Sequence, residues 1–135
     1  MTGVITHLEK NQLFTEMAME QLFKSIAEQE RAPIVMCDTE SNIVYMNPAA
    51  IARYKRNLTG TNIKACHSEE ANQKIDLVIE WFRKNKENNI VYTFHNSKEN
   101  KDVYMVALRD RTGEFIGYYE KHEYRNRETA KPYDI

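Results

Sequence analysis

Residues Ile43-Val44-Tyr45-Met46-Asn47-Pro48-Ala49-Ala50 hold a strand, a helix cap and a helix start with no linker between them. The β-branched and aromatic side chains at the front suit a strand. The Asn47 side chain is able to accept a hydrogen bond from the first amides of a helix. Pro48, with its fixed φ and no amide hydrogen, suits the first helical position. The chain must therefore leave a sheet and enter a helix at one residue. Replacing Asn47 with alanine costs about 0.5–2 kcal/mol through loss of the cap alone.

The elements on either side follow from spacing. Residues 7–29 contain neither Pro nor Gly and many helix formers, and predict one long helix. On it Leu13, Phe14, Met17, Ala18, Met19, Leu22 and Ile26 spread over more than half the circumference. Two surfaces are expected to cover so broad a face: the domain on one side and a second copy of the chain on the other. A broad intramolecular face is the alternative. Residues 32–38 predict a strand opened by Pro33, and the polar segment 38–42 turns it into the strand 43–46 as a hairpin. The helix opened by Pro48 carries Ile51 and Tyr54. Gly60, which tolerates left-handed backbone, and an irregular segment through Ile63 follow.

From Glu69, the apolar residues Ala71, Ile75, Val78, Ile79 and Phe82 form one helical face. Ser68 is the expected N-cap, and Glu69, Glu70 and Arg83, Lys84, Lys86 complement the helix dipole at its two ends. Three strands, 90–95, 103–109 and 115–124, are expected next as an antiparallel meander. The order predicts an α+β fold with helices grouped on one face of a sheet. The expected organisation is an N-terminal helix over 1–30, one folded domain over 31–124 and a polar, mobile tail over 125–135.

Composition narrows the function classes. Nineteen basic and 20 acidic side chains leave a formal charge of -1, so no bulk field gathers nucleic acid or holds an anionic membrane. No apolar run approaches membrane-spanning length, and no secretory signal pattern opens the chain. Cys37 and Cys66 are too few for a disulfide framework and are expected as thiols in the cytoplasm. The cysteines and four scattered histidines lack paired zinc spacing, and no Gly-rich phosphate loop is present.

The patterns Ile43-x-Tyr45-x-Asn47-Pro48-Ala49-Ala50 and Arg109-Asp110-x-x-Gly113-Glu114-Phe115-x-Gly117, in this element order, resemble a PAS domain over residues 32 to about 124. Gly60-x-x-Ile63-x-x-Cys66-His67 before the long helix is similar to a bacterial PAS subgroup often joined to hemerythrin-like modules. Ser68 stands where that subgroup usually has proline. The resemblance implies a five-stranded antiparallel sheet that encloses a pocket with its helices, used to sense a ligand, redox state or light. It also implies a partner protein to receive the signal. The flavin photosensor motif expected by the same resemblance is replaced by Asn62-Ile63-Lys64-Ala65-Cys66-His67.

His67 lies four residues before Ala71 and eight before Ile75, so its ring extends the apolar stripe. Small Ala71 leaves room beside the imidazole, and Ile75, Val78 and Ile79 supply an apolar wall. This setting suits haem, with His67 as the axial ligand to iron and Cys66 as the alternative thiolate. The opposing reading is that His67 only caps or packs at the helix start. His95 and His122 on the strands are weaker candidates.

Two functions follow. One is a stand-alone cytoplasmic PAS sensor or carrier without enzymatic activity, binding haem or another apolar or planar small molecule. The other is a cofactor-free interaction module that forms a homodimer through its N-terminal helix. A haem-modifying enzyme is a third reading and requires turnover with a reductant. A hollow filled by the chain's own Tyr, Phe and Met side chains would favour the second. Light scattering at tens of micromolar protein is expected to give the mass of a dimer; a monomer would contradict the two-sided reading of residues 7–29.

Overall fold

The computed structural model describes residues 14–135. The part of the predicted N-terminal helix over 7–13, with Leu13, lies outside the described residues. A π-helical turn, Phe14–Ala18, leads into helix α1, Met19–Gln29. Ala27 is the buried residue of α1, whereas Met17, Leu22, Phe23 and Ile26 are exposed. The expected packing of one whole side of this helix on the domain is therefore replaced by a fastening at its last turn. There Tyr45 donates to Glu28 at 2.8 Å.

Strands β1, Val35–Cys37, and β2, Ile43–Met46, form the expected antiparallel hairpin. β1 is shorter than 32–38 because Ala32 and Ile34 give their backbone groups to the Asn47 side chain. Asp38 closes the turn, its Oδ1 accepting from the amides of Glu40 and Asn42, both at 2.9 Å. Helix α2, Pro48–Tyr54, ends at Lys55 in the left-handed region, φ 63°. A 3-10 turn, Ile63–Cys66, capped by the side chain of Asn62, begins where the expected irregular segment ends. Helix α3, Glu69–Lys84, has Ser68 as its cap, accepting from the Ala71 amide at 3.1 Å.

Strands β3, Ile90–Asn96, β4, Lys101–Arg109, and β5, Phe115–Tyr124, form the meander. The sheet runs β2-β1-β5-β4-β3 and is antiparallel throughout. β1 meets β5 closely: a Cβ built on Gly117 would collide with the Cys37 carbonyl oxygen. One core joins Ala50 of α2, Ile79 and Phe82 of α3, and Cys37, Ile43, Met46, Met105 and Tyr118 of the sheet. Burial pushes the Cys37 thiol up to about 11.

The Arg109-to-Gly117 segment now has a mechanical account. The Arg109 guanidinium donates to the carbonyls of Phe82, Asn85 and Asn88 at the end of α3, to Asn89 and to Gly113. It supplies donors where a helix leaves carbonyls unpaired. Asp110 shapes the following turn by accepting from the amides of Thr112 and Glu114. Beyond β5 no residue enters a regular element, and the segment begins tied down, Arg125 donating to Asp102 at 2.7 Å.

Asn47 is fully buried. Its Oδ1 accepts from the amides of Ala50 and Ile34, both at 2.9 Å, and its Nδ2 faces the carbonyls of Ala27, Ala32 and Glu30 at 3.0, 3.0 and 3.2 Å. The side chain is thus a cap for α2 and a clasp for α1 and the entry to β1. Removing it strands buried donors and acceptors as well as the cap, so Asn47→Ala is expected to cost about 3 kcal/mol in urea unfolding. Asn47→Asp keeps the cap oxygen but turns a carboxylate toward three carbonyls, and is expected to destabilise comparably. A loss below about 1 kcal/mol for the alanine variant would contradict the clasp.

Candidate functional site

The inner face of the sheet is set by a bulge. Val91 pairs with Met105, Phe94 with Val103 and Asn96 with Lys101, so one residue of β3 is extra between Tyr92 and Phe94. An extra residue reverses the alternation of a strand. Phe94 and Asn96 therefore face the interior with Lys101, Val103 and Met105, while His95, exposed, pairs with Asp102 at 2.7 Å. Plain alternation along the strand would have put His95 on the same face as Val91. On β5, Glu120 pairs with Met105 and His122 with Val103, which carries both onto the same inner face.

Between this face, α2 and the first half of α3 lies a cavity of about 550 Å³. Ala71, Ile75 and Val78 line it along α3, Arg53 and Tyr54 from α2, and Phe94 and Met105 from the sheet. His67 and Ser68 stand at the start of α3, and a second, smaller hollow of about 70 Å³ shares Tyr54, His67 and Glu120. Of the predicted site residues, His67, Ala71, Ile75 and Val78 come together around the large cavity. Cys66 is exposed and lines the small hollow. Ile79 is 8% exposed and belongs to the core. Ile79, one residue past Val78, packs into the core with the sheet residues, and the cavity does not reach it.

His67 is an exposed residue at the rim. Its Nδ1 lies 2.9 Å from the Ile63 carbonyl oxygen. A carbonyl only accepts, so Nδ1 donates to it, and in the neutral ring this leaves the lone pair on Nε2. That is the tautomer in which imidazole binds a metal, with the other nitrogen held by a backbone oxygen. The 3-10 turn is what brings Ile63 under the ring. Among the described residues no group of three or more His, Cys, Asp or Glu side chains is placed to hold a bare metal ion.

Opposite the apolar wall, the cavity is polar. Arg53 makes a two-pronged pair with Glu99, at 2.8 and 2.9 Å, and Lys101 Nζ lies 3.3 Å from the same carboxylate. The Arg53 hydrogen bonds, with the nearby Lys101 ammonium adding its charge, hold the Glu99 carboxyl down to about 2. Burial raises the Glu120 carboxyl, against the opposing pull of His67, Lys101 and Arg53. The His122 side chain is 10% exposed, and burial, with Lys101 and Arg53 adding to it, pushes its imidazole down to about 4. Among the described residues, Lys101 Nζ and His122 Nδ1 are sealed from water yet make no hydrogen bond.

Of this polar wall the sequence singles out only His122, as a weaker ligand candidate; Arg53, Lys101 and Glu120 are given no role there. The fourth strand was begun at Val103; extending its alternation back two places reaches Lys101. Glu120 and His122 alternate with Tyr118, and two ionisable residues on a row with a core tyrosine were the available signal.

The model of the PAS domain family matches residues 19–122. No curated protein matches the chain in sequence. Among solved structures, the C-terminal domain of a protein from Streptococcus mutans is 25% identical, with TM-score 0.58, over 73% of this chain and 78% of that one. The PAS domain of BvgS from Bordetella pertussis is 14% identical, with TM-score 0.55, over 82% and 88%. A PAS domain from Colwellia psychrerythraea is 11% identical, with TM-score 0.59, over 79% and 97%. No helix among the described residues is long and apolar enough to cross a membrane.

The depressed His122 imidazole makes stability depend on pH. Between the ordinary value of 6.5 and about 4, the unfolded chain takes up a proton that the folded one refuses. Stability is therefore present above 6.5 and lost as pH falls toward 4, by up to about 3 kcal/mol. Glu99, Glu120, Lys101 and Arg53 titrate or act nearby, so the expected result is a difference between wild type and His122→Leu. Urea unfolding at pH 7, 5.5 and 4 should show a shallower acid loss in the variant, and parallel curves would contradict the assignment.

Proposed function

This chain belongs to the PAS domain family, and on that premise we propose that it is a sensory or ligand-binding PAS protein that takes a small molecule in the cavity between sheet and α3. The observation that carries the reading is the cavity itself. At about 550 Å³ it falls within the range of about 300–1,000 Å³ usual for small-molecule sites. The core tyrosines, phenylalanines and methionines leave this space open rather than filling it. An apolar wall faced by a few polar groups is the lining such sites use. The signal passes to a partner protein in the cytoplasm, without turnover.

Haem is the cofactor this lining favours. His67 would hold its iron through Nε2, with Nδ1 fixed by Ile63, and Ala71, Ile75 and Val78 would give the macrocycle apolar contact. Bound there, haem would supply a site for a diatomic gas or for one-electron redox change. Cys66 is the alternative ligand, and the Cys66-His67 pair supports membership of the PAS subgroup that carries it.

A second reading, a cofactor-free dimerisation module, is favoured by Met17, Leu22, Phe23 and Ile26, all exposed along the N-terminal helical segment. Native mass spectrometry of protein as isolated, followed by hemin titration, separates the two. A sharp Soret band that is weakened in His67→Ala and unchanged in Cys66→Ser is the expected result. Identical spectra for wild type and His67→Ala would remove His67 as ligand. Protein that carries no ligand and takes none up would favour the second reading.

A further inference from the structure

Lys101 and His122 neighbour each other on the inner face of the sheet, one place apart along β4 and β5: Lys101 pairs with Tyr124, and His122 with Val103. The Lys101 side chain is 1% exposed and that of His122 is 10% exposed, and both residues line the large cavity. An ammonium so deeply buried needs acceptors for its hydrogens. The carboxylate beside it, Glu99 at 3.3 Å, is already engaged by both arms of Arg53 and by Asn96 at 3.0 Å. The Tyr124 ring centroid also lies 5.2 Å from Nζ. Arg53, which also lines the cavity, brings a second positive charge to the same end.

We propose that this end of the cavity recognises the acidic head group of an amphipathic ligand, with Lys101 as the principal counter-charge, Arg53 beside it, and Ala71, Ile75 and Val78 receiving the apolar body. The inference rests on the ligand-binding reading of the cavity and narrows it to the ligand's charge. A carboxylate or sulfonate supplies the acceptors that the Lys101 ammonium lacks. The apolar wall across the cavity supplies what a wholly polar anion, such as inorganic phosphate, has no use for. Glu120 is the opposing charge in the wall, paired across the ladder with Met105.

Two fluorescent probes with the same aromatic body separate charge from shape: anilinonaphthalene sulfonate, which is anionic, and phenylnaphthylamine, which is not. Wild type is expected to bind the anionic probe more tightly. Lys101→Met, close in length and apolar, is expected to weaken the anionic probe about tenfold or more and leave the neutral one unchanged. Glu99→Gln frees Lys101 from its carboxylate without touching the core and is expected to act in the opposite direction, tightening the anionic probe severalfold. This second variant tests the same charge if Lys101→Met does not fold. Equal binding of the anionic probe by wild type and Lys101→Met, equal loss of both probes, or no gain in Glu99→Gln would overturn the proposal and leave the cavity reading standing. Failure of wild type to bind either probe would overturn the cavity reading with it.

Discussion

Asn47 places one amide where α1, the entry to β1, the end of β2 and the start of α2 converge. Its oxygen and nitrogen reach five backbone groups of three separate segments. A side chain amide is suited to this because it donates and accepts at once, and its burial leaves no water to substitute for a missing partner. The hairpin, the exit of the chain into α2 and the fastening of α1 are thereby made conditional on each other. That coupling positions the helical layer over the sheet, and the cavity is the gap left between them.

The cavity has two characters because two kinds of element form it. α3 contributes an apolar stripe at helical spacing, with His67 at its leading end. The three-stranded meander contributes alternating residues whose inner row ends in Lys101, Glu120 and His122. Arg109, at the far end of β4, anchors the C-terminal end of α3. The helix is thus held to the sheet firmly at Phe82 and Ile79, where the core is dense, and stands away from it near Ala71. The space opens toward the end where the polar side chains gather, so it has apolar surface on one side and polar side chains on the other.

Much of this was legible as a sequence. The helix 69–84, the capping roles of Asn47 and Ser68, the hairpin and the meander all followed from local chemistry, because period, cap and turn are set by residues within a few positions of one another. The same spacing argument placed His67, Ala71, Ile75 and Val78 on one stripe. It failed for Ile79, which shares the stripe but lies where the helix meets the core. His95, a weak candidate from the start, lies outside because a bulge inverts the strand after Tyr92, and no residue in that run announces one. Spacing also overstated the packing of the N-terminal helix, whose apolar circumference is wide but whose described residues touch the domain chiefly at Ala27 and Glu28.

By itself the sequence determined the order and kind of the elements and the residue at which strand becomes helix, since these depend on near neighbours along the chain. Tertiary structure alone decided that Asn47 serves five partners, that a space remains between α3 and the sheet, and that Lys101, His122 and Glu120 share its wall. Those outcomes rest on strand register and on contacts between residues far apart in the chain. Neither is encoded in any local pattern, because a shift of one residue in register exchanges the inner face for the outer.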